Sequence, residues 1–247
     1  MRLLSLLLAA ILGVYGGVED GADPADSFVC QSDLPPADYK ALIDSIEGRY
    51  GSVADVRAHF IQYSYFAGLD KGEKSYGDVS FRKPGMMDWH YKGPEVQRFI
   101  SNGTTMWFHQ PEDNQVTVAA FTNSFQSDLP VSFLLGLGKI SKSFKVERAC
   151  KAAAGTVVEL SPLEQSGDLQ RFRLLVRPDD YVPIGAQVLD IGGNETSIRL
   201  AGLSLNSGIK ETEFEFSIPK GVDVIDRRSG AESGGEINEK SLLPELN

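Results

Sequence analysis

The hydrophobic pattern of this chain changes period twice. Tyr39, Leu42, Ile43, Ile46 and Tyr50 fall at helical spacing, one stripe of an amphipathic helix, with Gly48 and Gly51 limiting its extent. From Val56 the chain alternates instead. "VRAHFIQYSYF" is rich in β-branched and aromatic residues and predicts a long strand. Further strands are predicted at 76–82, 86–92, 96–101, 104–109 and 114–120, with Asn102-Gly103 as a two-residue hairpin signal. The segment "SDLPVSFLLGLGKI", 127–140, is apolar without alternation and predicts a short helix capped near Ser127 or Asp128. Strands resume at 144–148, 156–160, 169–177, 184–191, 195–204 and 211–218, with a turn at Gly192-Gly193-Asn194. Many antiparallel strands with two helical segments predict a curved sheet or barrel, its helices on one face or at the mouth.

One strand departs from simple alternation. In "GDVSFRKPGMMDWHYKGPE", residues 77–95, a Lys83-Pro84-Gly85 turn joins two extended runs. The second run places Met87, Trp89 and Tyr91 on one face, against Met86, Asp88 and His90 on the other. So large and soft a face either fills a closed core or lines a cavity for an apolar ligand; residue pattern alone leaves both open.

The ends read differently. "MRLLSLLLAAILGVYGG" has a basic start, an apolar run shorter than the ~20 residues of a membrane-spanning helix, and small residues after it. It predicts a secretory signal peptide at 1–16, cleaved after Gly16, and hence export. Residues 17–36 are rich in Gly, Pro, Asp and Ser and predict a linker; 227–247 predict a disordered tail. One domain over 37–226 is expected between them.

The chain has 34 acidic and 24 basic residues, a formal net charge of −10. That balance argues against nucleic acid or an anionic membrane surface as the main partner. The two cysteines, Cys30 and Cys150, permit one disulfide in an oxidising compartment. Acidic residues before Cys30 rule out a lipidation signal there.

Catalytic motifs are missing. His59, His90 and His109 lack metal-ligand spacing, and there is no nucleophile elbow, phosphate loop or dinucleotide fingerprint. Glu159, Glu164 and Asp168 fall together in a turn region and read as solvated loop carboxylates. Asn102 and Asn194 head glycosylation sequons but also sit in turns. No enzyme, cofactor or metal is expected.

An ordered set of short signals does stand out. It runs Phe60-x-Gln62; Gly77-Asp78, Pro84 and Trp89; Ser101-Asn102-Gly103, Trp107-Phe108 and Pro111; Gln115; Pro130 and Leu134-Leu135; then Phe214-x-Phe216, Pro219 and Gly221-Val222-Asp223-Val224. In this order the chain resembles the periplasmic outer-membrane lipoprotein carriers, the LolA family. The resemblance implies an incompletely closed antiparallel β-barrel covered by a helical lid, with a hydrophobic cavity. It implies a soluble, monomeric periplasmic chaperone that carries acylated lipoproteins from an inner-membrane ABC transporter to an outer-membrane receptor, without a cofactor. By position in the family pattern, Tyr50, Trp89, Phe99, Phe133 and Leu134 line the lipid site, while Trp107 is open between cavity and core.

The family commonly has Arg-Pro where this chain has Lys83-Pro84. That arginine holds the lid, so Lys83 is expected to be a weaker lid latch, lacking the planar guanidinium fork. Arg82 cannot replace it, because one step along a strand points to the opposite face. Alternative readings are a lipid-sensing module, the lipid-anchored receptor of related fold, and a glycolipid carrier.

Overall fold

The computed structural model describes residues 23–121, 139–164 and 169–228. The predicted signal peptide, the central apolar segment with Phe133 and Leu134, for which a short helix is predicted, and the residues beyond Arg228 lie outside them.

Among the described residues, thirteen strands form one sheet. They are β1 (Cys30–Asp33), β2 (Asp55–Phe66), β3 (Lys71–Arg82), β4 (Met86–Gly93), β5 (Gln97–Asn102), β6 (Thr105–Gln110), β7 (Gln115–Ala120), β8 (Phe144–Ala152), β9 (Gly155–Pro162), β10 (Leu169–Val176), β11 (Pro183–Asp190), β12 (Glu195–Leu205) and β13 (Asp223–Asp226). Their spatial order is β1-β8-β9-β10-β11-β12-β2-β3-β4-β5-β6-β7-β13. The sheet does not close, and β1 and β13 are its edges. All neighbours pair antiparallel except β13 with β7, which is parallel. This is the expected open, mainly β architecture.

Among the described residues, two α-helices accompany the sheet: α1 (Tyr39–Gly51) and the short α2 (Ile140–Ser143). The predicted stripe of α1 is the one that is buried: Leu42, Ile43, Ile46 and Tyr50. Its contacts show how the sheet bends. Phe144, Leu160, Phe172 and Leu174, from β8 to β10, share one hydrophobic cluster with Phe60, Phe81, Met87 and Phe99, from β2 to β5. Strands so far apart in the sheet meet only if it curls around α1. Each fully buried large apolar side chain contributes about 1.5–3 kcal/mol, so the helix stripe alone is a substantial anchor.

The outer face carries a second apolar layer. Adjacent residues of β10, Leu174 and Leu175, are both fully buried, on opposite faces. Leu175 packs with Val157, Cys150, Ile184 and Phe28. Phe28 ends a 3-10 turn, Pro24–Phe28, capped by the Asp23 carboxylate, which accepts from the Ala25 N–H at 2.8 Å. The segment from 23 onward is therefore packed, and the linker expected over 17–36 does not describe it. Burial of Phe28, pairing of β1 with β8 and the Cys30–Cys150 disulfide tie it down.

At the other end, the strand expected at 211–218 is absent. Glu211–Phe214 is a 3-10 turn lying across β4 and β5. Phe214 is buried, and the Phe216 ring rests beside Trp107 and His109, at centroid distances of 6.2 and 5.5 Å. This strap covers Ile100, Val116 and Val118, which point to the outer face yet are buried. It does not join the sheet because side chains take its polar groups. Arg82 Nη1 donates to the Ile209 carbonyl at 3.0 Å, Arg57 pairs with Glu213, and the buried Asp55 carboxylate accepts from the Ser207 and Gly208 amides. The strand-forming residues lie further on, at Asp223–Asp226.

The disulfide closes a long loop, since its cysteines are 120 residues apart. Loop-closure entropy predicts that Cys30→Ser with Cys150→Ser lowers stability by about 4–5 kcal/mol. Urea unfolding of oxidised wild type against the double variant measures it.

Candidate functional site

The inner face of β2 to β6 is an aromatic wall. Phe60 lies 5.0 Å from both Trp89 and Tyr91, centroid to centroid. Phe81 meets Trp89 edge-on at 5.9 Å, and Tyr91 meets Phe99 at 6.3 Å. Phe99 stacks on Phe108 at 4.1 Å. Such contacts add about 0.5–1.5 kcal/mol each beyond area burial and leave broad ring surfaces without directional bonds.

Three predicted liners come together here. Tyr50 and Phe99 are buried in the inner cluster, and Trp89 is half-buried against it. Phe133 and Leu134 lie outside the described residues. Trp107 is turned to the outer face, paired in register with Ile100 and Val118. Phe60, Phe81, Tyr91 and Phe108 complete the wall. Alternation places Tyr91 with Trp89, but the other rings join only through cross-strand register, such as Val79 opposite Trp89 and Phe99 opposite Phe108.

Gly77 explains the Gly77-Asp78 signal. A Cβ there would stand 1.9 Å from the His90 carbonyl oxygen and 2.9 Å from the Phe60 ring. Only glycine lets β3, β4 and Phe60 approach so closely. Asp78 faces outward, where its carboxylate bridges His59 Nδ1 at 2.6 Å and Lys92 Nζ at 2.5 Å.

The wall changes polarity along its length. At the β3–β4 turn it is apolar: Val56, Phe81 and Met87. Toward the β2–β3 hairpin it becomes polar. Gln62, Ser64 and Ser75 are buried there. The Tyr91 hydroxyl donates to Gln62 Oε1 at 2.9 Å, and Gln62 Nε2 donates to Ser64 Oγ at 3.0 Å.

Lys83 stands at the apolar end. Its ammonium lies 3.6 Å from the Tyr50 ring centroid and donates to the Tyr50 carbonyl in the last turn of α1. It thus answers a helix C-terminus with a cation and a ring face with a charge. Lys83 is held against α1; the apolar segment where the lid is expected lies outside the described residues. Arg82 is on the opposite face, bound to the strap.

Burial lowers the Lys83 pKa from 10.5 to about 8. Between those values the folded protein has shed a proton that the unfolded chain retains, so stability rises with pH there. The expected outcome is that wild type gains stability relative to Lys83→Met as pH rises from about 8 to 10.5, with no such gain below 8. Paired urea titrations at pH 7 and pH 10 test it.

No catalytic grouping emerges among the described residues. Glu159 is paired with Arg173 at 2.7 Å, and His90 and His109 lie on the outer face. Among the described residues, the one set of three candidate metal ligands is Cys30, Asp33 and Cys150, whose two sulfurs are joined to each other.

An open sheet curled about an aromatic wall, with a helix closing part of it, is an arrangement suited to binding apolar ligands. The sequence comparisons say which kind. The profile of the outer membrane lipoprotein carrier protein LolA matches residues 51–217, and the chain belongs to that family. The outer-membrane lipoprotein carrier protein of Azotobacter vinelandii is 31% identical over 171 residues, covering 68% of this chain and 80% of that protein. That of Methylobacillus flagellatus is 26% identical over 183 residues, covering 74% and 88%. An uncharacterized conserved protein of Thermus thermophilus shares the fold, with a TM-score of 0.50 at 13% identity over 76% of this chain and 99% of that one.

Proposed function

We propose that this protein is a soluble chaperone that binds the acyl chains of lipoproteins and carries them across the periplasm. The observation that carries the reading is the continuous wall of Phe60, Phe81, Trp89, Tyr91, Phe99 and Phe108 on the inner face of an open sheet, in a member of the lipoprotein carrier family. Shielding a chain of about 16 carbons from water is worth about 12 kcal/mol at ~0.8 kcal/mol per CH₂. A carrier must also release that chain. Rings and a Met side chain provide area that adapts to variable chain shapes, and ordering costs hold net affinity below the gross value.

The cargo comes from an inner-membrane ABC transporter and goes to an outer-membrane lipoprotein receptor, with the protein acting as a monomer. This assignment rests on the family. Lys83 is the natural control point, since loosening α1 from the β3–β4 turn opens the apolar end of the wall.

Purification of the mature chain from a periplasm, followed by mass spectrometry of what co-elutes, tests the reading. Acylated lipoproteins are expected in the bound fraction, and Phe99→Glu should reduce their capture at least tenfold by placing a charge on the wall. A bound fraction holding glycolipid alone would move the cargo to another amphiphile. Failure to bind any acylated peptide would overturn the proposal.

A further inference from the structure

The polar end of the wall has one group without a partner. Trp89 Nε1 is buried and makes no hydrogen bond. It lies beside the Tyr91 hydroxyl, whose pKa burial raises and the neighbouring Gln62 and Trp89 side chains lower, yet no acceptor among the described residues meets the Trp89 N–H at hydrogen-bonding distance and angle. Leaving an indole N–H dry and unpaired carries the full cost of its desolvation, so its retention in the middle of a ring cluster calls for a reason.

Its neighbours supply one. The chain of bonds from the Tyr91 hydroxyl to Gln62 Oε1, from Gln62 Nε2 to Ser64 Oγ, and on to Thr196 Oγ1 at 3.5 Å forms a polar island on the inner face of β2, β4 and β12. Gln62 uses one of its two amide hydrogens in that chain, and the Trp89 hydrogen is free, so the island offers surplus donors. Trp89, Tyr91 and Thr196 keep partial exposure, so the island can be reached. On one side of it are Phe60, Phe81 and Met87; beyond it the strands run to the hairpin end of the sheet.

From this placement we propose that Trp89, with Gln62 across the Tyr91 hydroxyl from it, forms a subsite for the carbonyl oxygen of the ester or amide that joins an acyl chain to its head group. A hydrocarbon tail on the ring wall brings its first polar atoms, which are carbonyl acceptors, to the point where the wall supplies donors. The subsite fixes the depth of insertion, with the tail toward the β3–β4 turn and the head toward the β2–β3 hairpin. It also distinguishes an acylated molecule from a plain hydrocarbon or ether lipid of equal length. This inference rests on the carrier reading and adds the part of the ligand that is recognised.

Two synthetic lipopeptides test it: a cysteine-headed peptide bearing a dipalmitoylglyceryl diester, and the same peptide bearing the dihexadecyl diether. They match in apolar length and differ in the carbonyl. Wild type should bind the diester about tenfold more tightly, the factor that one hydrogen bond to a buried donor supplies. Trp89→Phe should bind both as wild type binds the diether, and that retained binding shows the variant is folded. A second readout leaves Trp89 in place: in Trp107→Phe, the remaining indole N–H resonance should move downfield with the diester and not with the diether. Equal affinity of wild type for the two overturns the subsite while leaving the carrier reading intact. A preference that survives in Trp89→Phe, or an indole resonance indifferent to the ester, removes Trp89 as the donor. Binding of neither lipopeptide overturns the carrier reading, and the subsite falls with it.

Discussion

A sheet curled tightly enough to enclose an aromatic wall has hydrophobic side chains on both faces, and each face needs its own cover. The rest of the structure follows from that constraint. Inside, α1 lays Leu42, Ile43 and Ile46 into the cluster that joins β8–β10 to β2–β5. Outside, the two terminal regions divide the work. Phe28 and the disulfide-bonded Cys30 cover Val157 and Leu175, while Phe214 and Phe216 cover the side of Ile100 and Val118. Neither cover is a sheet, so the curl is held from behind while the inner face keeps broad ring surfaces.

The C-terminal strap is held largely by charge and hydrogen bonds, which explains how it can be irregular. Asp55 is the central example. It is buried and receives the Ser207 hydroxyl and the Ser207 and Gly208 amides where the chain leaves β12 to become the strap. Burial pushes its pKa up and these bonds push it down, with a net lowering, so the carboxylate stays charged at neutral pH and the strap stays anchored. Arg82 and Arg57 repeat the arrangement further along, against Ile209, Glu211 and Glu213.

This division also explains which parts were legible in the sequence. Strands and hairpins in the body of the sheet follow from alternation and turn residues, because each needs only a local pattern to match a pleat: Asn102-Gly103 and Lys83-Pro84-Gly85 sit at the turns they predicted. The α1 stripe was legible for the same reason. The covers were not. "ETEFEFSI" alternates as a strand does, yet Phe214 and Phe216 are spent on the outer face of other strands. "DSFVCQSD" has a linker's composition, and only a contact across 120 residues turns it into structure. The wall itself was half legible. Trp89 and Tyr91 stand out along one strand, but Phe60, Phe81, Phe99 and Phe108 become one surface only once register is known. Polarity was hidden more deeply, since Gln62 and Ser64 sit at alternating inward positions that pattern alone reads as weak spots in a core face.

The two ends of the wall now acquire different roles from the same low dielectric. At the β3–β4 turn, burial makes the Lys83 charge costly and so makes its contact with the Tyr50 ring and carbonyl worth forming. At the other end, burial makes an unpaired Trp89 N–H costly and so makes any acceptor that reaches it valuable. One group is a positive charge already engaged with protein; the other is a neutral donor still without a partner. On the proposed subsite, a ligand entering along the wall would meet these needs unequally: its tail would compete with α1 for ring surface near Lys83, while its first carbonyl would supply what Trp89 lacks. The gain at the polar end would then offset the cost of loosening the helix at the apolar end. The two needs are joined through the length of one strand, from Met87 to Tyr91, so no chemical step is required for one to answer the other.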